Sequence, residues 1–125
     1  MTVLAQPQPV PTVLPGIAHA TWAGRDDGLS QLSAWRQSLA PGAATPPHNH
    51  DCDELVFCLS GHGEAHADGQ VFAFGPDSSV ALPRGGTHQL VNTGGEPLEL
   101  LAVFASTPVD TRLPDGQAIA LPWRT

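Results

Sequence analysis

The most informative segment of this chain reads Gly42-Ala-Ala-Thr-Pro-Pro-His48-Asn-His50-Asp-Cys-Asp-Glu54-Leu-Val-Phe-Cys-Leu-Ser-Gly61. His48 and His50 are two residues apart, so in an extended segment both side chains leave on the same face. Glu54 keeps that parity if a strand resumes after a short kink. Two imidazoles and a carboxylate on one face suit a divalent metal such as Fe, Mn, Ni or Zn. Histidines beside prolines are also common on solvated surfaces, so a further ligand is needed to favour a metal site.

A fourth candidate ligand follows a Gly-rich turn in the segment Pro83-Arg-Gly-Gly-Thr-His88-Gln-Leu-Val-Asn92. His88, Leu90 and Asn92 alternate with period two, so His88 is predicted to open a strand. Three histidines and one carboxylate leave open positions on an octahedral ion, where water, a substrate or O₂ can bind. A bound metal also explains why ionisable groups would be buried.

Length and composition indicate one globular domain. The chain has 125 residues and is 41% hydrophobic, which is enough for one core but not for two. Its 13 glycines and 13 prolines are spread along the chain, as expected for tight turns between short strands.

The charge balance argues against polyanionic partners. All five basic residues are arginine, and twelve acidic residues give a net charge of −7. Electrostatics therefore oppose binding to nucleic acid or to an anionic membrane surface. No apolar run approaches the ~20 residues of a spanning helix, and no signal peptide is evident.

Two cysteines do not make a disulfide framework. Cys52 and Cys58 are six residues apart and would need a tight loop to pair. We interpret them as reduced thiols in a cytoplasmic protein.

The predicted secondary structure is all β. The segment Ala67-Asp68-Gly69-Gln70 predicts a two-residue hairpin, because Asp-Gly tolerates the positive φ of a type I′ turn. No apolar stripe with a 3.6-residue period runs for three turns, so an antiparallel sandwich or barrel is favoured. Alternating or apolar runs predict strands over 17–22, 32–39, 54–60, 64–67, 71–74, 79–82, 88–92 and 98–104.

The strand over 54–60 carries apolar residues on both faces. Leu55, Phe57 and Leu59 share one side, and Val56 and Cys58 share the other. Such a strand is predicted to be covered on each side.

Both histidine segments resemble the cupin family. Its first motif is matched by the spacing of Gly42, His48, His50, Glu54 and Gly61, and its second by Pro83, Gly85, His88 and Asn92. One departure is that seven rather than five residues separate Gly75 from Pro83, which suggests a two-residue bulge at Pro76-Asp77. The resemblance covers about residues 32–104.

This resemblance implies a cupin-type double-stranded β-helix, a jelly-roll barrel, over residues 17–107. Residues 1–16 would form an extended arm, either a disordered lead-in or an edge strand on a partner, and 108–125 a tail packing on the barrel or a partner subunit. His48, His50, Glu54 and His88 would converge on one divalent transition metal inside the barrel. Fe or Mn is favoured, with Ni, Zn and Cu as alternatives, and family analogy predicts a homodimer.

Further pocket residues follow from strand parity. Val56 and Cys58 share the parity of Glu54, and Leu90 that of His88. The strand over 32–39 can face the barrel interior in either of two orientations. If Arg36 points inward, its guanidinium would bind an anion; if Gln37 points inward, its amide would offer neutral hydrogen bonds. The alternation of residues in this strand does not decide between the two orientations. Cys52 is expected as a solvated thiol, His19, His62 and His66 as surface residues, and Phe72, Phe74 and Phe104 as core.

The leading functional hypothesis is a metal-dependent enzyme that performs dioxygenase-type oxidation of a small oxygenated organic substrate. In this scheme Glu54 is both a ligand and a candidate general base. The alternatives are a redox-neutral isomerase or lyase that uses the metal as a Lewis acid, and a non-catalytic metal- or ligand-binding protein. Fold does not decide among them, because one fold hosts many chemistries.

Overall fold

The computed structural model describes all residues, 1–125. Apart from a 3-10 helix at Arg25–Asp27, its regular structure is entirely β, which confirms the predicted class. No helix has the length and hydropathy needed to cross a bilayer. The strands are β1 (Val10–Pro11), β2 (Ile17–Ala23), β3 (Ser33–Leu39), β4 (Asn49–His50), β5 (Glu54–Ser60), β6 (Gly63–Ala67), β7 (Gln70–Phe74), β8 (Ser79–Leu82), β9 (His88–Asn92), β10 (Leu98–Phe104) and β11 (Thr111–Arg112).

Two antiparallel sheets enclose the core. The larger has six strands in the order β1-β2-β3-β10-β5-β8, and the smaller has the order β7-β6-β9. Isolated bridges from Ala44 to Val91 and from His48 to His88 attach residues 44–48 to the free side of β9. The pair β4 and β11 continues that side. The histidine segment thus runs along the smaller sheet and faces the larger one.

The core lies between the inner faces of the sheets. Leu39, Val56, Leu98 and Leu100, all on the larger sheet, are at most 1% exposed. They pack in one cluster with residues of the smaller sheet such as Leu90. Burying side chains of this size contributes about 1.5–3 kcal/mol each, and this packing fixes the two sheets around the histidines.

The hairpin between β6 and β7 forms where the sequence predicts it. Asp68 and Gly69 have φ values of 53° and 74°, and Ala67 pairs with Gln70. Positive φ at both central residues is the signature of a type I′ turn.

The prediction that β5 is covered on both faces is wrong for the single chain. Leu55, Phe57 and Leu59 point away from the core and are 38%, 39% and 48% exposed. The reason is topological, because one layer of the sandwich covers only the inner face of this sheet.

Three other burial predictions are corrected. Phe72 is 59% exposed, since it lies on the edge strand β7, whereas Phe74 and Phe104 are core residues as predicted. Cys52 is buried rather than solvated and belongs to the core cluster. His19 is only 5% exposed, because it faces inward on β2 beneath the C-terminal segment.

Both terminal segments contact the barrel of their own chain. In the N-terminal arm, Val10 and Pro11 pair with β2, and the indole N–H of Trp22 donates to the carbonyl of Pro7. Near the other end, β11 pairs with β4, and the side chain of Arg124 donates to the carboxylate of Asp26. The C-terminal segment is thereby held across one end of the barrel.

Candidate metal centre

Backbone pairing sets His48 directly opposite His88. The amide of His48 donates to the carbonyl of His88 at 3.0 Å, and the amide of His88 donates back at 2.8 Å. Pro46 and Pro47 keep the approach to His48 extended, because proline disfavours helix before it. Two residues later His50 pairs with Thr111 in β11. Three imidazoles therefore meet on one inner surface.

Each imidazole is anchored through its Nδ1 atom to a backbone carbonyl. The acceptors are Pro46 for His48 at 2.6 Å, Asp110 for His50 at 3.0 Å, and Gly86 for His88 at 3.1 Å. A carbonyl can only accept, so a neutral ring carries its proton on Nδ1 and leaves a lone pair on Nε2. Such anchoring is the usual outer-shell support of a metal-binding histidine.

Glu54 completes the cluster from the opposite sheet. It is the first residue of β5, is 7% exposed, and places Oε1 3.4 Å from His50 Nε2 and 3.3 Å from His88 Nε2. These three buried atoms have no hydrogen-bond partner. Leaving such atoms unpaired is costly, so their convergence suits a common cationic partner.

A cation fits this arrangement. The three histidines offer ring nitrogens that all lie within 4.8 Å of one another. Donors bound to one ion at about 2.1 Å and separated by 90–109° lie roughly 3.0–3.4 Å apart. The distances from Glu54 match this separation. His48, His50 and His88 could therefore hold a metal ion, with Glu54 as a fourth donor.

Burial keeps two of the rings in the neutral, metal-binding form. It lowers the pKa of His48 to about 4, and the nearby His88 acts in the same direction. Burial likewise lowers the pKa of His50. Neutral imidazole is the ligand form, so neither ring has to lose a proton at pH 7 to bind an ion.

A small cavity of about 60 Å³ adjoins the cluster. Its polar lining besides the four candidate ligands is limited to Gln37, Thr45 and Thr111, and the remainder is hydrophobic or aromatic. The apolar lining residues are Leu14, Ile17, Trp35, Pro46, Leu90, Phe104, Ile119, Leu121 and Trp123.

The structure separates the predicted pocket residues into two groups. Gln37 and Leu90 line the cavity. Arg36 lies on the other face of β3, where its guanidinium donates to Glu99 and to the carbonyl of Leu100. Val56 and Cys58 point inward but are packed in the core away from the cavity lining.

The C-terminal segment supplies a wall that sequence reasoning missed. Ile119, Leu121 and Trp123 line the cavity from beyond β11. The indole of Trp123 stacks on His19 with ring centroids 3.9 Å apart, and it meets Trp35 edge-on at 5.4 Å. The sequence feature from which this wall could have been predicted is the spacing of these three apolar residues, which occur at every second position.

Acidification should destabilise the wild-type protein more than a His19→Gln variant. Burial lowers the pKa of His19 to about 4, below the ~6.5 of an unfolded chain. Its contribution to stability is therefore complete above pH 6.5 and is lost as the pH falls toward 4. Between pH 7 and 4.5 we expect the wild type to lose roughly 2 kcal/mol more than the variant. Urea unfolding at both pH values measures this, and equal losses would refute it.

Comparison with known proteins supports the fold. Residues 35–104 match the family model described as Cupin domain. A structure from Klebsiella pneumoniae subsp. pneumoniae MGH 78578, described as an uncharacterized conserved protein with a double-stranded beta-helix domain, superimposes with a TM-score of 0.72. It is 19% identical, and the match covers 83% of this chain and 88% of that one, so it shows the fold alone.

Two further relatives have named activities. Auxin-binding protein 1 of Arabidopsis thaliana is 34% identical over 105 residues, which are 76% of this chain and 53% of that protein. A structure described as a sugar phosphate isomerase from Silicibacter pomeroyi is 29% identical with a TM-score of 0.67, covering 82% of this chain and 68% of that one. The chain spans about half the length of the auxin-binding relatives it matches. With its family motifs and its double-stranded β-helix, this chain belongs to the cupin family.

Proposed function

We propose that the protein holds one divalent transition metal through His48, His50, Glu54 and His88. We propose further that this ion binds a small, largely apolar organic monoanion through its oxygen atoms. Fe or Mn is the favoured ion. The observation that carries the proposal is the cavity beside the histidines, whose lining contains no Lys or Arg.

Charge in the cavity favours a monoanion. A divalent ion beside one carboxylate leaves a net charge of +1, which a carboxylate or an enolate neutralises. A phosphate dianion would leave an uncompensated negative charge in an apolar cavity, which is unfavourable. The phosphate-handling chemistry named for the Silicibacter pomeroyi relative therefore does not fit this cavity.

The size of the cavity favours a small molecule. Its volume of about 60 Å³ gives room for roughly five water molecules at 10–15 Å³ each. An acid of a few carbons fits beside the ion. A larger ligand would have to displace the C-terminal wall formed by Ile119, Leu121 and Trp123.

The auxin-binding relatives support a binding function. They are named for a ligand rather than for a reaction.

The free thiols favour a cytoplasmic location, which is part of the proposal. Both cysteines are buried and unpaired, and thiols stay reduced in the cytoplasm.

Dioxygenase-type oxidation is the second candidate function. It is favoured by the ligand set, because three histidines and one carboxylate leave two positions open on a six-coordinate ion. A redox-active ion would supply the chemistry with O₂. Glu54 would be the acid–base group among the residues that hold the ion, and most of the other side chains that line the cavity are apolar.

Oxygen dependence separates the candidate functions. Iron-loaded protein would be incubated with a panel of diketones, phenols and small acids while O₂ uptake is recorded. Substrate-dependent uptake supports oxidation, and turnover without O₂ supports an isomerase or lyase. Metal-dependent binding with no turnover on the whole panel supports the binding function.

The central prediction concerns ligand charge. Zinc-loaded protein should bind butyrate at least about tenfold more tightly than propyl phosphate at pH 8, because only the monoanion balances the site. The two probes have the same alkyl chain, and calorimetry measures both. Chelator-stripped protein, the matched control, should bind neither. A preference for the dianion, or equal butyrate binding by stripped protein, would refute the proposal.

A further inference from the structure

A short turn between β8 and β9 supports two of the candidate metal ligands from outside the cluster. It comprises residues 83–86, in which the amide of Gly86 donates to the carbonyl of Pro83 at 3.2 Å. Gly85, the third residue of the turn, has a φ of +81°. Positive φ at this position is typical of a type II turn.

Two hydrogen bonds connect this turn to the ligands. The carbonyl of Gly86 accepts from Nδ1 of His88 at 3.1 Å, and such a contact orients the ring of a metal-binding histidine. The amide of Gly85 donates to the carbonyl of His50 at 2.9 Å. A displacement of the turn would therefore disturb both the ring of His88 and the backbone of His50.

Asp53 attaches this turn to the larger sheet. Its Oδ1 atom accepts from the amide of Arg84 at 2.8 Å. Its carbonyl accepts from the amide of Ala105, directly after β10, at 3.1 Å. Asp53 also immediately precedes Glu54, the candidate ligand that begins β5. This one residue thus links the turn beside His88 to the strand end that delivers Glu54.

The side chain of Arg84 makes a separate contact that carries less weight. Its guanidinium pairs with Asp51 at 2.7 Å, but the two side chains are 69% and 63% exposed. Exposed ion pairs contribute little, because solvent screens them and both side chains must be ordered. The amide of Arg84 belongs to the backbone of the turn, so its bond to Asp53 fixes the position of that backbone directly.

We propose that Asp53 is a positioning residue for the metal centre, acting through the backbone of residues 83–86 on His88. The inference rests on the proposed metal site and adds a residue that is not itself a ligand. Outer partners that orient a ligand typically contribute roughly 10–100-fold to metal affinity. Because the bond from Arg84 to Asp53 is exposed, its loss should change metal binding more than the stability of the fold.

Titration with Co²⁺ tests this role, because the visible absorption of the bound ion reports its coordination geometry as well as its affinity. Asp53→Ala should weaken Co²⁺ binding by at least about tenfold and change the absorption spectrum. Asp53→Asn keeps a side-chain oxygen that accepts from the amide of Arg84. It should therefore recover most of the affinity and the wild-type spectrum. Circular dichroism establishes that both variants are folded.

Arg84→Ala is the matched control, since it removes the guanidinium but keeps the amide that donates to Asp53. It should leave Co²⁺ binding unchanged. If Asp53→Ala does not fold, Arg84→Pro replaces it and should weaken binding equally. Proline suits the second position of a type II turn but has no N–H to donate.

The role of Asp53 and the metal site itself can fail separately in this experiment. If Asp53→Ala binds Co²⁺ as tightly as the wild type does, the positioning role is overturned and the metal site stands. Equal losses in Asp53→Ala and Asp53→Asn overturn it too, because the charge of Asp53 rather than its hydrogen bond would then be responsible. A wild type that binds no Co²⁺ overturns both proposals.

Discussion

A His48→Ala variant should lose metal affinity by more than about 100-fold, the upper range for removing even an outer-shell partner of a metal ligand. The substitution removes one nitrogen donor and leaves His50, His88 and Glu54 in place. His48 is the least buried of the three histidines, so the fold should tolerate the change. Competition with a fluorescent chelator measures the affinity, and elemental analysis measures the metal content per chain.

His66→Ala is the matched control for this experiment. His66 lies on β6 and pairs with Gln89, the neighbour of His88, but it is outside the histidine cluster. Its removal should leave metal content unchanged. If both variants lost metal equally, or if neither did, the proposed ligand set would be wrong.

Gly61→Ala should destabilise the fold by about 3 kcal/mol or more, combining a strained φ with overpacking. Gly61 has a φ of +80°, and a Cβ atom there would lie 2.5 Å from the carbonyl oxygen of Pro97 and 3.1 Å from the Cα of Leu98. Because these neighbours are backbone atoms, they cannot rotate aside as a side chain would. We expect thermal unfolding to shift downward by about 10 °C.

Gly69→Ala separates the two causes. Gly69 also has a positive φ, +74°, but no atom lies within 4 Å of its would-be Cβ. It should therefore show only the conformational cost of about 1 kcal/mol. Equal destabilisation of the two variants would show that the contact with Pro97 is unimportant.

Local patterns predicted the strands well because each has its own alternation and its own turn. The boundaries of β8, β9 and β10 agree with those predicted. The ligand segments could also be placed from the sequence, since parity and a Gly-rich turn are local properties. Proline and glycine at the strand ends made these segments unambiguous.

Features that depend on distant contacts could not be predicted. Gln37 faces the cavity, while Arg36 faces out and pairs with Glu99 on the adjacent strand β10. The sequence of β3 alone fits either orientation. His19 is buried because Trp123 stacks on it from more than a hundred residues away. The wall made by the C-terminal segment was missed for the same reason.

Anomalous diffraction from crystals equilibrated with Mn²⁺ tests the metal centre most directly. We expect one strong peak within about 2.3 Å of the Nε2 atoms of His48, His50 and His88, with a carboxylate oxygen of Glu54 at a similar distance. Metal-containing crystals with no peak inside this cluster, or with the main peak elsewhere on the protein, would contradict it.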